Sequence, residues 1–121
     1  LLGRNDNILQ VMNGFDVYVQ SSSYGEGFPN VVAEAMACGT PCIVTDVGDA
    51  SIIVGKTGWI VPPNNPNKLA KALENAIYEV ITKKINKRRD KARSRIRKNF
   101  DLSKMLKSYN KSWYHVHRKN N

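Results

Sequence analysis

Tyr24-Gly-Glu-Gly-Phe-Pro-Asn-Val-Val-Ala-Glu34-Ala-Met-Ala-Cys-Gly39 reads as a tight glycine loop running into a short helix. Proline is pre-organised for a first helical turn, asparagine caps one, and glycine ends one, so Pro29, Asn30 and Gly39 predict a helix over about Pro29 to Cys38. At about 100° per residue, Val31, Val32, Ala35 and Met36 share one arc, with Ala33 and Ala37 opposite. A helix apolar nearly all round predicts burial. Its one charge is Glu34, and a buried carboxylate is costly unless something donates a hydrogen bond to it. Glu34 is therefore expected to have a partner, in the protein or in a ligand.

Glu26 poses the same question from the loop. Gly25 and Gly27 flank it, permit positive φ, and let a ligand approach the backbone. The amides of Asn30, Val31 and Val32 are expected among the free donors of the first helical turn, where the helix dipole favours an anion such as phosphate. Glu34 falls one turn beyond Asn30 on the same side. Two carboxylates, which accept from hydroxyls, thus flank a phosphate-binding helix start. A diphosphate with a sugar on one side and a ribose on the other matches that layout.

Glu26-x7-Glu34, set in Ser-x-x-Gly-Glu-Gly-Phe-Pro-Asn-Val-Val-x-Glu-Ala-Met-Ala-x-Gly-x-Pro, resembles the E-x7-E motif of family 4 retaining glycosyltransferases, which have the two-domain GT-B fold. The resemblance extends through Thr45-Asp-Val-Gly-Asp49 and Thr57-Gly-Trp-Ile-Val-Pro-Pro63 to about Ile77. It implies a partial doubly wound parallel sheet, the Rossmann-like carboxyl-terminal domain of such an enzyme, followed by carboxyl-terminal helices. By the same resemblance Glu26 would be catalytic, holding donor-sugar hydroxyls and stabilising positive charge at the anomeric centre. Glu34 would bind the ribose of the nucleotide, and Gly27, Phe28, Pro29, Asn30, Val31 and Val32 would meet the donor sugar and diphosphate. Arg4 follows Gly3 at a strand end that lies near the base in the family, which makes it a candidate base contact.

The implied reaction transfers a sugar from a nucleotide-sugar donor, with retention, to a glycan or lipid-linked acceptor, as in polysaccharide biosynthesis. No cofactor or metal is expected, and the chain has no Asp-x-Asp. Two departures stand out. Ser51 lies near the place where family members often carry a glutamate, and the chain starts midway through the carboxyl-terminal domain. The upstream Gly-Arg and Lys that neutralise the diphosphate, and the amino-terminal acceptor domain, are then missing partners. The chain is expected to be a truncated or split part of an enzyme, inactive alone. A non-catalytic module that binds a nucleotide or a polyanion is the contrasting expectation.

The 121 residues suit one small domain. With no long apolar stretch and no signal pattern, a cytoplasmic location is expected. Ile8, Leu9, Val11 and Met12 predict a short helix capped by Asp6 or Asn7. Asp16–Gln20, Cys42–Thr45 and Gly58–Val61 read as strands, and the β-branched second run as a buried parallel one. Asn65-Pro66 opens an amphipathic helix carrying Leu69, Ala72, Leu73, Ala76, Ile77 and Val80. Strands alternating with helices predict a parallel, doubly wound sheet, with ligands beyond the strands' carboxyl ends. Ser21, Ser22 and Ser23 read as turn formers. Cys38 and Cys42 read as buried free thiols. Trp59 reads as a core or rim residue, Phe28 equally as a stacking residue, and His115 and His117 as surface groups rather than metal ligands.

Charge divides the chain. Residues 1–82 hold four Lys and Arg against eight acids, and residues 83–121 hold fifteen against two, giving −4 and +13. That shift sets the expected boundary: 1–82 as half of the nucleotide-sugar-binding domain, 83–121 as basic carboxyl-terminal helices. Ile85, Ala92 and Ile96 form a sparse apolar line. Asp101 caps a last helix with Leu102, Met105, Leu106, Tyr109, Trp113 and Val116 on one stripe. In the resembling enzymes such a helix packs back toward the other domain. The basic face itself reads as solvated, as attracted to an anionic membrane surface at the inner face, or as nucleic-acid binding, although no nucleic-acid motif accompanies it.

Overall fold

The structure is a computed structural model that describes the backbone of residues 3 and 5–119, and the side chains within 5–113. In chain order the elements are α1 (Ile8–Asn13), β1 (Tyr18–Gln20), α2 (Asn30–Ala37), β2 (Cys42–Thr45) and α3 (Ala50–Val54). A 3-10 turn (Gly55–Thr57) leads into β3 (Trp59–Val61), α4 (Pro66–Ile81), α5 (Ile85–Asn99) and α6 (Leu102–Lys119). The three strands form one parallel sheet in the order β1-β2-β3. Tyr18 is opposite Cys42 and Gln20 opposite Val44, while Ile43 faces Trp59 and Thr45 faces Val61.

All four residues of β2 are buried, as a central strand covered on both faces requires. Successive side chains point to opposite faces, and two cores follow. Cys42 and Val44 join Met12, Val32, Met36, Ile53 and Val54. Ile43 joins Val61, Ala72 and Ala76, with Leu69 and Leu73 of α4 beside them. Each buried Val or Ile is worth about 1.5–3 kcal/mol relative to exposure. α4 opens as its sequence predicts: the Lys68 amide donates to Asn65 Oδ1 at 3.0 Å, with Pro66 in the first turn.

The basic segment is solvated only in part, and its sparse apolar line packs inward. Ala92 of α5 is fully buried in the first core and Ile85 is 4% exposed, while Ile96 packs against that core. The chain does turn after Thr82, where Lys83 takes φ +59°, but packing continues across the compositional break. Four arginines of α5 are held by the rest of the fold. Arg88 pairs with Glu79 at 2.8 and 2.5 Å and lies over the Trp59 ring, 4.1 Å from its centroid. Arg89 donates to Asp16 Oδ1 at 2.7 Å, and Arg93 to the Cys38 carbonyl at 2.9 Å. Arg95 donates to the Ile53 and Ile52 carbonyls at 2.8 and 2.6 Å. Cations at the carboxyl ends of α2 and α3 satisfy orphan carbonyls and complement the helix dipoles. The sequence could not show this, because a docked arginine and a solvated one look alike in composition.

α6 starts where expected. The Lys104 and Met105 amides donate to the Asp101 carbonyl, and the Ser103 hydroxyl donates to its carboxylate at 2.8 Å, which lowers the Asp101 pKa. Among the described side chains its stripe is solvent-facing, from Met105 at 49% exposed to Trp113 at 70%, and the Val116 side chain lies outside them. Among the described residues, no helix is long and apolar enough to cross a membrane.

Candidate functional site

β1 and β2 run parallel and end at Gln20 and Thr45, so the loops 21–29 and 46–49 meet beyond the carboxyl ends of the strands, where ligands bind in sheets of this kind. The loops are joined directly. The Asp49 amide donates to the Gly27 carbonyl at 2.9 Å. Gly48 has φ +56°, and a Cβ there would sit 2.6 Å from that oxygen and against the Glu26 carbonyl as well, so only glycine allows this approach. Of the two glycines flanking Glu26, Gly25 takes φ +80°, whereas Gly27 is not in the left-handed region.

Glu26 is half-buried, and its Oε1 accepts from the Ser22 hydroxyl at 2.6 Å. Ser22 is therefore more than a turn former. Its carbonyl accepts from the Thr45 hydroxyl at 2.6 Å, and its Oγ from Gln20 Nε2 at 3.3 Å. The signal for this was available in the spacing: Ser22 stands four residues before Glu26 in a loop that closes on itself.

α2 is less buried than its composition predicts. Val32, Ala35 and Met36 are buried, and Asn30, Glu34 and Ala37 form an exposed stripe. The premise that Glu34 is a buried acid is overturned; its carboxylate faces solvent on the Asn30 side, because small alanines leave the stripe open. Asn30 is the first helical residue rather than the cap, and buried Pro29 takes the cap position with no side-chain bond. The Val32 amide is also committed, donating to the Pro29 carbonyl at 3.0 Å. Two of the three expected donors, the Asn30 and Val31 amides, donate to no acceptor among the described residues. Val31 is half-buried against the first core.

Phe28 is 44% exposed, and its ring stacks at a tilt on Phe100, 5.8 Å between centroids. That contact ties the glycine loop to the junction of α5 and α6. Trp59 is half-buried under Arg88, away from the loop. Arg4 and the side chains of His115 and His117 lie outside the described residues.

Tyr18 is a neighbour the sequence reading missed, since a tyrosine opening a strand reads as packing. Burial raises its phenol pKa first, and nearby Cys42, Glu26 and Glu34 raise it further. Both acids thus act electrostatically on one phenol. Cys42 is a free buried thiol, pushed up to about 12 by burial, and Cys38 is free and half-buried. Among the described residues, no three His, Cys, Asp or Glu side chains converge as a metal site.

A parallel sheet with helices on both faces and a glycine loop feeding a helix start places the chain in the doubly wound α/β class. The family model of glycosyl transferases group 1 matches residues 1–79, and the chain belongs to that family. It is 41% identical over 70 residues to a D-inositol 3-phosphate glycosyltransferase of Paenarthrobacter aurescens, a match that covers 56% of this chain and 17% of that protein. The chain therefore spans less than a fifth of that relative. The fold is similar to sucrose-phosphate synthase of Thermosynechococcus elongatus, with a TM-score of 0.76 at 28% identity over 90% of this chain and 27% of that one. It is also similar to Anabaena HepE in complex with UDP, with a TM-score of 0.81 at 24% identity over 92% and 30% of the two chains. HepE has also been solved with UDP-glucose. The fold is similar to part of GT-B glycosyltransferase structures.

Proposed function

We propose that the chain is part of the donor-binding half of a retaining glycosyltransferase that takes its sugar from a nucleotide-sugar. The observation behind this reading is the arrangement around the start of α2. Two amides without protein acceptors lie there, with Glu26 in the loop before them and solvent-facing Glu34 one turn after. Amides at a helix start donate to a diphosphate, an interaction worth about 0.3–1 kcal/mol from the dipole alone. Carboxylates accept from hydroxyls. In this reading Glu34 takes the ribose hydroxyls, Glu26 the donor-sugar hydroxyls, and the backbone from Gly27 to Val32 the sugar and diphosphate between them. The Glu26 charge then opposes the positive charge that develops at the anomeric carbon. The chemistry requires neither a metal nor a cofactor.

The described loops bring no Lys or Arg to the diphosphate. In this reading the charge that neutralises the diphosphate, and the site for a glycan or lipid-linked acceptor, come from other parts of such an enzyme. Preorganised charge of that kind is worth orders of magnitude in rate, so turnover in this reading depends on those parts. The exposed stripe of α6 is, in this reading, the face that packs toward the other domain of such an enzyme. A polyanion-binding module is disfavoured by the use of Arg88, Arg89, Arg93 and Arg95 inside the fold.

Calorimetric titration of the intact protein with UDP and with UDP-glucose tests the assignment. Glu34→Gln is expected to weaken both ligands about tenfold, the scale of a hydrogen bond to a charged group. Glu26→Gln is expected to weaken UDP-glucose and leave UDP within twofold. Equal loss of UDP affinity in both variants contradicts the two roles.

A further inference from the structure

Glu26 is referenced to the end of β2 twice over. Its backbone is fixed by Gly48, whose bare Cα face lies against the Glu26 and Gly27 carbonyls, and by the Asp49 amide on Gly27. Its carboxylate is fixed through side chains. The Thr45 hydroxyl, on a residue only 5% exposed, donates to the Ser22 carbonyl at 2.6 Å, and the Ser22 hydroxyl donates to Glu26 Oε1 at 2.6 Å. The Gln20 amide adds direction. Its Nε2 can only donate, and it occupies a lone pair of Ser22 Oγ at 3.3 Å. The single serine proton is then left for Glu26. An O–H···O contact of that length to a carboxylate lies in the charge-assisted range.

Stability alone gives a weak reason for this arrangement. Glu26 is only half-buried, so water could serve its carboxylate nearly as well, and a single exchange of that kind contributes little net free energy. Orientation is what a hydroxyl adds and water does not, and misplacing a reacting group by a fraction of its contact distance is expensive in rate.

We propose that Ser22, backed by Thr45 and Gln20, is the positioning residue for Glu26: it occupies Oε1 and turns Oε2, which has no protein partner among the described residues, toward a hydroxyl of the bound sugar. This rests on the reading of Glu26 as the donor-sugar group. Ser22 touches neither sugar nor nucleotide, and Thr45 acts one step further back. The consequence is that substitutions at Ser22 change how the site distinguishes UDP-glucose from UDP, without changing UDP binding itself.

Two measurements on the intact protein separate this proposal from its parent. The first needs no ligand: urea unfolding of wild type, Ser22→Ala, Glu26→Ala and the double variant. The two substitutions are expected to be non-additive, because each removes the same contact; additive effects overturn the tether. The second is the UDP and UDP-glucose titration. Ser22→Ala is expected to shift the ratio of the two dissociation constants about tenfold against UDP-glucose, with UDP within twofold. Ser22→Cys, which keeps the shape but donates weakly, should shift it in the same direction, and Ser22→Thr should restore it. Ser22→Ala in the Glu26→Ala background should change it no further. An unchanged ratio in Ser22→Ala and Ser22→Cys overturns the positioning role. A coupled unfolding cycle in a protein whose ratio ignores Glu26→Gln instead overturns the assignment of Glu26.

Discussion

Gly55→Ala tests whether the basic segment is bound into the fold as the geometry indicates. Gly55 follows α3 with φ +53° and ψ −131°, a conformation costing any other residue about 1–3 kcal/mol. It also lies under Arg95, and a Cβ would come 2.5 Å from the guanidinium carbon. The new methyl must push that group off the Ile52 and Ile53 carbonyls. Two hydrogen bonds from a charged donor are worth about 1.5–3 kcal/mol each when buried. Arg95 is only half-buried, so water replaces part of that and roughly 1 kcal/mol in total is a fair share. The sum is about 2–4 kcal/mol, a large part of the 5–15 kcal/mol typical of a domain. For a chain of this size each kcal/mol lowers Tm by about 4 °C, so a fall of about 8–16 °C is expected in thermal unfolding followed by circular dichroism. Arg95→Met, which keeps the aliphatic stem, should cost only about 1 kcal/mol. Combining the two should cost less than their sum, because the methyl then has no guanidinium to displace. A Gly55→Ala Tm within 2 °C of wild type, or strict additivity with Arg95→Met, would refute the docking.

Cys42 ionises far above its ordinary value of 9.0 in the fold, so its contribution is complete below pH 9 and is lost as pH rises toward about 12, at up to about 1.4 kcal/mol per pH unit. Denaturant unfolding from pH 8 to 11 should show this fall, and Cys42→Val should flatten it; an unchanged slope contradicts the assignment. Arg88 holds the Glu79 carboxyl low, chiefly by hydrogen bonding. That stability is present above the ordinary value of 4.5 and is lost as pH falls through the depressed one. Arg88→Met should remove this acid-side loss, cost about 1–2 kcal/mol at neutral pH including the Trp59 stacking, and change Trp59 fluorescence. An acid limb identical to that of wild type speaks against the pairing.

Much of the fold could be read locally. The Cys42–Thr45 run, the Asn65-Pro66 start and the period of α4 each depend on neighbours in sequence, and each appears where expected. The strands at either side are shorter than their β-branched runs: Asp16 leaves the first to meet Arg89, and Gly58 stays outside β3. Burial of Glu34 failed for a different reason. Composition showed that α2 is apolar but not how much of its circumference the core covers, and alanines leave the Asn30–Glu34 side open. The arginines of α5 failed as charge and succeeded as geometry, since their acceptors are carbonyls 42 and 55 residues away for Arg95 and Arg93. Ser22 was within reach of local reasoning, but Thr45 and Gly48 were not, because only folding brings the end of β2 under the glycine loop.

Amide chemical-shift mapping of the intact protein titrated with UDP-glucose reads the donor site residue by residue. The largest shifts are expected on Asn30 and Val31, whose amides have no acceptor among the described residues, and on Glu26, Gly27 and Glu34 around them, with Tyr18 responding as well. A basic open groove on the described surface lies elsewhere, along Lys56, Lys91, Arg95 and Lys98, and provides an internal contrast. Shifts concentrated along that groove, with the glycine loop and the start of α2 unmoved, would contradict a donor site at Glu26 and Glu34.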